Sequence, residues 1–216
     1  MAHLKREQAY QCLRDAITFG QLKPGEKVIE KVLTEMFHLG RTPLREALRQ
    51  LETEGYIEVF PNRGAVVRKI SIKQLEQVYD LLAVLEGYAV EASVMSIDPS
   101  GVKKLRGIEK ELVTAARAEN YAKWLDKNAL FHSYFQEALG NKLLSDHINN
   151  LRRTTYRYRA LSISIPGHME EYLADHRKVL DAVVEGKAEK AGKAMRAHVE
   201  RAKNILVKFL NENPWV

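Results

Sequence analysis

Glycine and proline are distributed unevenly along the 216-residue chain, and this restricts its architecture more than any other feature. Eight of the 18 glycines and prolines lie between positions 20 and 64, where they allow only short elements. From 71 to 216 they are sparse, and long helical patterns run between them. We therefore expect two domains, one over residues 1–70 and one over residues 71–216.

The first 70 residues predict three short helices and a hairpin. Apolar residues recur at helical spacing over 5–19, over 29–38, and from Pro43 to about residue 54. Thr42 is expected to cap the third helix, with Pro43 in its first turn. Strand-forming residues over 56–60 and 65–68 flank a turn at 61–64. Three helices followed by a two-stranded wing are typical of a winged helix-turn-helix domain, which docks on DNA.

The third helix carries arginines where a DNA-reading helix needs them. Arg41 lies at its start, and Arg45 and Arg49 are four residues apart and so share one face. Arginine binds guanine through two hydrogen bonds in the major groove. The alternative is an ordinary solvated face whose arginines pair with nearby glutamates. The basic turn at Arg63 and Gly64 favours contact with DNA, because such a turn suits a phosphate or the minor groove.

Composition limits where the protein works. The net charge of +6 permits nucleic-acid binding without requiring it. Cys12 is the single cysteine, so no disulfide can form within the chain. The first residues are polar and do not resemble a secretory signal. The most apolar run, 81–94, contains Glu86 and Glu91, so no membrane helix is predicted. We expect a cytoplasmic protein that does not associate with membranes.

The second segment predicts an all-α antiparallel bundle of about six helices. A capping box at Ser71–Gln74 begins the first, Asp98 caps the second, and Asn141 caps the fourth. Short connections between helices place neighbours antiparallel. The six helices are expected at about 72–96, 99–119, 121–138, 141–162, 168–184 and 188–210.

Three histidines of this segment are spaced so that they can meet. Asn128 and His132 are one helical turn apart. His176 and His198 lie 10 residues before and 12 residues after Gly186, so an antiparallel helix pair places them at similar height. Three converging imidazoles bind zinc, nickel, copper, cobalt or manganese. The alternative is three isolated histidines with unrelated partners.

The predicted fourth helix is rich in arginine and tyrosine. Arg152, Tyr156 and Arg159 share one face, and Arg153 shares another with Arg157. A solvated basic face is the simpler interpretation for most of them. One arginine that points inward would instead bind a carboxylate through paired hydrogen bonds.

The first segment resembles the GntR family of bacterial transcription regulators. The resemblance rests on 22–26 (Leu-Lys-Pro-Gly-Glu), on the run from Arg41 to Gly55, and on 61–64 (Pro-Asn-Arg-Gly). It implies operator contacts by Arg41 and Arg45. It also implies contacts from outside the third helix, by Lys31, Arg63 and Gly64. Thr42 and Arg49 complete the expected DNA-binding set. Gly40 departs from the serine or threonine that is usual there.

The second segment resembles the FCD effector domain of the FadR subfamily, in its smaller VanR-like type. The matching motifs are 128–132, 141–144, 175–182 and 194–198. The resemblance implies a divalent transition metal, with zinc or nickel favoured, bound by Asn128, His132, His176 and His198. Metal-binding members of the family have either aspartate or asparagine at the position of Asn128. Because this chain has asparagine, the position supplies a neutral amide oxygen and no carboxylate. It also implies a small organic acid as effector, bound near the metal by a set that we expect to be Arg152, Tyr156, Arg159 and Arg153.

These features together predict a ligand-responsive DNA-binding transcription regulator, acting as a repressor. It would bind a palindromic double-stranded operator as a homodimer, because two-fold operators match two-fold proteins. The protein is not expected to be an enzyme. One alternative is a metal-dependent hydrolase that uses the three-histidine site. Another is an architectural DNA-binding protein without an effector.

Overall fold

The computed structural model describes residues 2–60 and 64–213. Within them it has ten α-helices and three β-strands. The mainly helical fold is confirmed, with a winged helix-turn-helix first and a helical bundle after it. The elements before residue 70 are α1 (Ala2–Thr18), β1 (Lys27–Val28), α2 (Glu30–Phe37), α3 (Arg41–Thr53), β2 (Ile57–Phe60) and β3 (Gly64–Val67).

The sheet has three antiparallel strands in the order β1-β3-β2, whereas two were predicted. Ile57 pairs with Val67, and Phe60 pairs with Gly64, as expected for the hairpin. The additional strand is β1, whose Lys27 pairs with Val66. Two residues are too short to produce an alternating pattern, which is why the sequence did not indicate β1.

Helix α3 begins two residues earlier than predicted, at Arg41 instead of Pro43. Gly40, in extended conformation, is its N-cap and has no side chain to accept a hydrogen bond. Thr42 is therefore already inside the helix, and its predicted capping role is wrong. The buried side of α3 consists of Leu44, Ala47 and Leu51. This side packs against α1 and leaves the arginine-bearing side exposed.

The helical segment contains α4 (Ile72–Ser93), α5 (Pro99–Arg117), α6 (Tyr121–Leu139), α7 (Lys142–Thr154), α8 (Tyr156–Ser164), α9 (His168–Val184) and α10 (Ala188–Glu212). The predicted caps are confirmed at three starts. Ser71 forms a complete capping box with Gln74, Asp98 accepts a hydrogen bond from Gly101 N, and Asn141 accepts one from Leu144 N.

Seven helices replace the predicted six, because the fourth one is broken at Thr155. The Thr155 hydroxyl lies 3.3 Å from the carbonyl oxygens of both Leu151 and Arg152, and such back-bonding bends helices. The Arg159 guanidinium also donates to the Arg152 carbonyl, at 2.9 Å. The single helix predicted over 141–162 is therefore wrong, and so are the shared faces derived from it. The smaller VanR-like type was predicted because six helices were expected, and the seven observed helices remove this argument for it.

Two clusters of buried apolar residues hold the chain together. The first joins α1, α2, α3 and the sheet, with Leu13, Leu44 and Leu51 at its centre. The second lies inside the helical segment and includes Trp124 and Phe131. Over residues 2–60 and 64–213, we find no helix with the length and hydropathy needed to span a bilayer.

Candidate metal centre and DNA-binding surface

The structure brings together the three histidines that the sequence singled out. His132 lies on α6, His176 on α9 and His198 on α10, and all three are buried. One ring nitrogen of each lies within 4.8 Å of one from each of the others. The Nε2 atoms of His176 and His198 are 3.3 Å apart. The antiparallel pair α9–α10, joined at Gly186, therefore places its histidines as the spacing predicted.

The surroundings of His132 and His176 favour the neutral form of both imidazoles. Trp124 stacks on His176 at a centroid distance of 6.2 Å, and Phe131 stacks on it at 4.3 Å. Burial and the neighbouring histidines hold the pKa of His176 well below its usual range. Burial and the positive charge of Arg152 lower the pKa of His132 to about 3. Neutral imidazoles have lone pairs to donate, and this is the form in which histidine binds a metal.

Glu86 of α4 contacts the triad through His132. Its carboxylate contacts Nδ1 of His132, and its other oxygen lies 2.9 Å from Nε of Arg152. Burial favours the protonated acid, but Arg152 and His132 overcome this and lower the pKa of Glu86. An ionised Glu86 accepts the proton of His132 Nδ1, so the lone pair of His132 stays on Nε2.

Glu86 was not among the site residues predicted from the sequence. In the sequence it stands out only as an interruption of the most apolar run in the chain. That interruption was itself the available signal, because a carboxylate among apolar residues of a helix needs a buried partner.

The site fits a first-row divalent metal. Nε2 of His132 and Oδ1 of Asn128 are buried and have no hydrogen-bond partner within the described residues. Asn128 is one turn before His132 on α6, so both can face one point. Buried polar atoms normally have partners, so these orphaned atoms call for an additional group. Imidazole nitrogens with one amide oxygen form a donor set that suits zinc or nickel.

A cavity of about 40 Å³ adjoins the triad. A water occupies at least about 10–15 Å³ of such space, so the cavity has room for a few waters or one small group. Several of its lining donors are buried without a hydrogen-bond partner in the part of the chain that the structure describes. They include the Tyr79 and Tyr172 hydroxyls, Trp124 Nε1 and Arg159 Nε.

The four residues expected to bind an effector are divided by the break at Thr155. Arg152 and Arg159 line the cavity. Arg153 is exposed, and Tyr156 is placed between the two apolar clusters, outside the cavity lining. The charge of Arg152 is already balanced by Glu86. Arg159 is therefore the guanidinium of this set that can bind an incoming anion in the cavity.

The expected DNA-binding residues are all exposed as far as they are described. Arg45 has 65% of its side chain exposed and lies 2.9 Å from Glu30 of α2. Arg49 and Gly64 line a cleft of about 440 Å³ between α3 and the sheet. Arg63 lies outside the described residues. The remaining members are all exposed: Lys31, Arg41 and Thr42.

The backbone of Gly64 has φ +80°, a conformation that side chains other than glycine rarely adopt. Glycine therefore suits this first position of β3. In the free protein, Arg45 is engaged with Glu30, so a DNA contact by Arg45 would replace this ion pair.

Comparison with known proteins identifies both segments. The family model of the bacterial regulatory proteins of the gntR family matches residues 5–67, and that of the FCD domain matches residues 77–201. A relative in Bacillus subtilis, the HTH-type transcriptional regulator YdhC, is 27% identical, covering 92% of this chain and 91% of its own. The HTH-type transcriptional repressor RspR of Escherichia coli is 25% identical, covering 96% and 91%.

A solved structure has the same fold. That of E. coli McbR/YncC superposes with a TM-score of 0.78 at 23% identity, covering 96% of this chain and 99% of that one. The family and the relatives are transcriptional regulators, so the protein is not an enzyme, and the hydrolase alternative is set aside. The chain belongs to the GntR family of bacterial DNA-binding transcriptional regulators and carries an FCD effector domain after its helix-turn-helix segment.

Proposed function

We propose that this regulator is a repressor that binds a palindromic operator as a homodimer and responds to a small organic acid held beside a metal. Residues 1–70 read the DNA, and residues 71–216 bind the effector and dimerise. The observation that carries the proposal is the buried histidine triad beside a cavity that is lined by two of its members, His132 and His198, and by the unpartnered Asn128. Repression is supported by the names of two relatives, RspR and the gluconate operon repressor of Bacillus subtilis.

The operator is read by the exposed side of α3 with help from α2 and the wing. Arg41, Arg45 and Arg49 follow one another along α3, which suits contacts from the start of a recognition helix into the major groove. Thr42 and the flanking residues Lys31, Arg63 and Gly64 contact the backbone or the adjacent groove.

Replacing Arg45 by alanine tests this assignment. If Arg45 reads a base, the variant loses about 1–3 kcal/mol of binding free energy, or roughly five- to 150-fold in Kd. The measurement is a gel shift with a duplex selected from a random pool by the wild-type protein. Arg106→Ala, which removes an exposed arginine of α5, serves as the control. Equal affinity of Arg45→Ala and wild type would contradict the assignment.

His132, His176 and His198 would hold the metal, with Asn128 as a neutral fourth ligand. Zinc and nickel are the favoured ions. When bound, the metal supplies a Lewis-acid position that accepts a carboxylate oxygen of the effector. Glu86 orients His132, and Arg159 supplies the positive charge for the carboxylate.

Glu86→Gln tests the support of His132. The variant keeps the size of the side chain but loses its charge, so His132 Nδ1 and Arg152 lose their anionic partner. We expect metal affinity to fall about 10- to 100-fold. The measurement is competition for zinc with a chromogenic chelator, with circular dichroism to verify folding. Glu91→Gln, on the same helix beside Arg196, is the matched control. An affinity of Glu86→Gln equal to that of wild type would refute the role.

Calorimetry with a panel of metabolite acids tests the effector. We expect at least one carboxylate to bind the metal-loaded protein and to bind more weakly after chelation. Equal binding after chelation would remove the metal's role. A protein that binds its operator but responds to no acid and no metal would favour the architectural alternative.

The homodimer is supported by an apolar stripe on α4. Leu81, Val84 and Tyr88 are all more than half exposed. Their spacing places them on one side of the helix. Soluble proteins rarely leave such a stripe in water. Pairing of this side with a second copy would bury it and place two recognition helices in one particle.

Val84→Glu puts a charge in the centre of the stripe. We expect the dimer to dissociate at concentrations where wild type stays dimeric, because an unpaired charge is costly to bury. Sedimentation velocity measures the change. Val184→Glu alters a similarly exposed valine at the end of α9 and serves as the control. A dimeric Val84→Glu would contradict this interface.

A further inference from the structure

Tyr156 occupies the boundary between the DNA-binding and helical segments. It is the first residue of α8 and packs against both apolar clusters. Its ring meets the ring of Tyr56 edge-on, at a centroid distance of 6.0 Å. The guanidinium of Arg14, on α1, lies 5.4 Å from the same ring.

On the other side of this boundary, Tyr156 touches a residue of the cavity. The guanidinium of Arg159 is 5.4 Å from the centre of the Tyr156 ring. Arg159 lines the cavity, and its Nε has no hydrogen-bond partner among the described side chains and backbone. One side chain of the cavity is thus in direct contact with the ring that meets the DNA-binding segment.

Tyr56 and Arg14, which contact Tyr156, are connected to the C-terminal end of the recognition helix α3. Tyr56 lies two residues after the C-cap of α3. Its backbone N–H donates a hydrogen bond to the carbonyl of Leu51, at 2.8 Å. Arg14 also lies 5.8 Å from the ring of Tyr10, whose hydroxyl donates to Glu54 at 2.6 Å. Glu54 is itself the C-cap of α3. A shift of the Tyr156 ring therefore moves groups that fix the position of α3.

We propose that Tyr156 is the positioning residue that couples the cavity to the DNA-binding segment. A carboxylate in the cavity engages Arg159 and draws its guanidinium away from the Tyr156 ring. The ring then repacks against Tyr56 and Arg14, and the orientation of α3 changes with it. This inference rests on the proposed carboxylate site. It requires the bound carboxylate to favour one arrangement of Arg159 over the other.

The coupling is measured as the ratio of operator Kd with and without a ligand. The probe is acetate, added to zinc-loaded full-length protein with the duplex selected by wild type. For wild type we expect a ratio of about two- to thirty-fold, the range of one cation–π contact. Tyr156→Leu should bind zinc and acetate within about twofold of wild type, yet bring the ratio close to one.

Two further variants separate coupling from packing. Tyr156→Phe keeps the aromatic ring and should restore the ratio. Tyr121→Leu removes a half-buried tyrosine from the helical cluster without touching this contact, and should keep the ratio. A wild-type ratio in Tyr156→Leu, or a lost ratio in Tyr121→Leu as well, would overturn the proposal.

A second measurement needs no ligand. Arg159→Gln, Tyr156→Leu and the double variant are compared for operator Kd in the absence of acetate. Coupled residues give a double variant that departs from the product of the single effects by more than twofold. Additive effects would overturn the proposal. Failure of wild type to bind zinc or acetate would instead contradict the proposed effector site, so the two failures remain distinct.

Discussion

The buried carboxylate of Glu86 is the interaction on which the helical segment depends. An ionised carboxylate inside a bundle is costly unless its charge is balanced and its oxygens are bonded. Arg152 balances the charge, and His132 uses the second oxygen. The contact between Glu86 and His132 leaves Nε2 as the free nitrogen of His132. Because Glu86 already neutralises Arg152, Arg152 is not available to balance the charge of a ligand. The roles of His132, Arg152 and Arg159 in the proposed site all follow from this one contact.

The break at Thr155 has a comparable effect on the connection between segments. A continuous helix would have placed Arg152, Tyr156 and Arg159 on one side, facing one environment. The interruption instead leaves the two arginines at the cavity and places Tyr156 against Tyr56. A short separate helix, α8, thereby has one end at the cavity and the other at the DNA-binding segment. This arrangement suits a regulator, because the two sites have to communicate.

Much of the fold was predictable, since helix ends carry local signals. The caps at Ser71, Asp98 and Asn141 and the bounds of α9 were predicted correctly. The meeting of His176 and His198 followed from their distances to one turn. The break at Thr155 was not predictable, because it depends on side chains that bond to backbone carbonyls in three dimensions. Glu86 was missed because its partners are far away in sequence.

Metal content per chain tests the central claim, that the buried triad binds a transition metal, most directly. Elemental analysis of wild type, dialysed against zinc and then against buffer, is compared with His176→Ala treated in the same way. We predict one retained metal ion per wild-type chain and none in the variant. A folded wild-type protein that retains no zinc, and none of nickel, cobalt or manganese in parallel experiments, would contradict it.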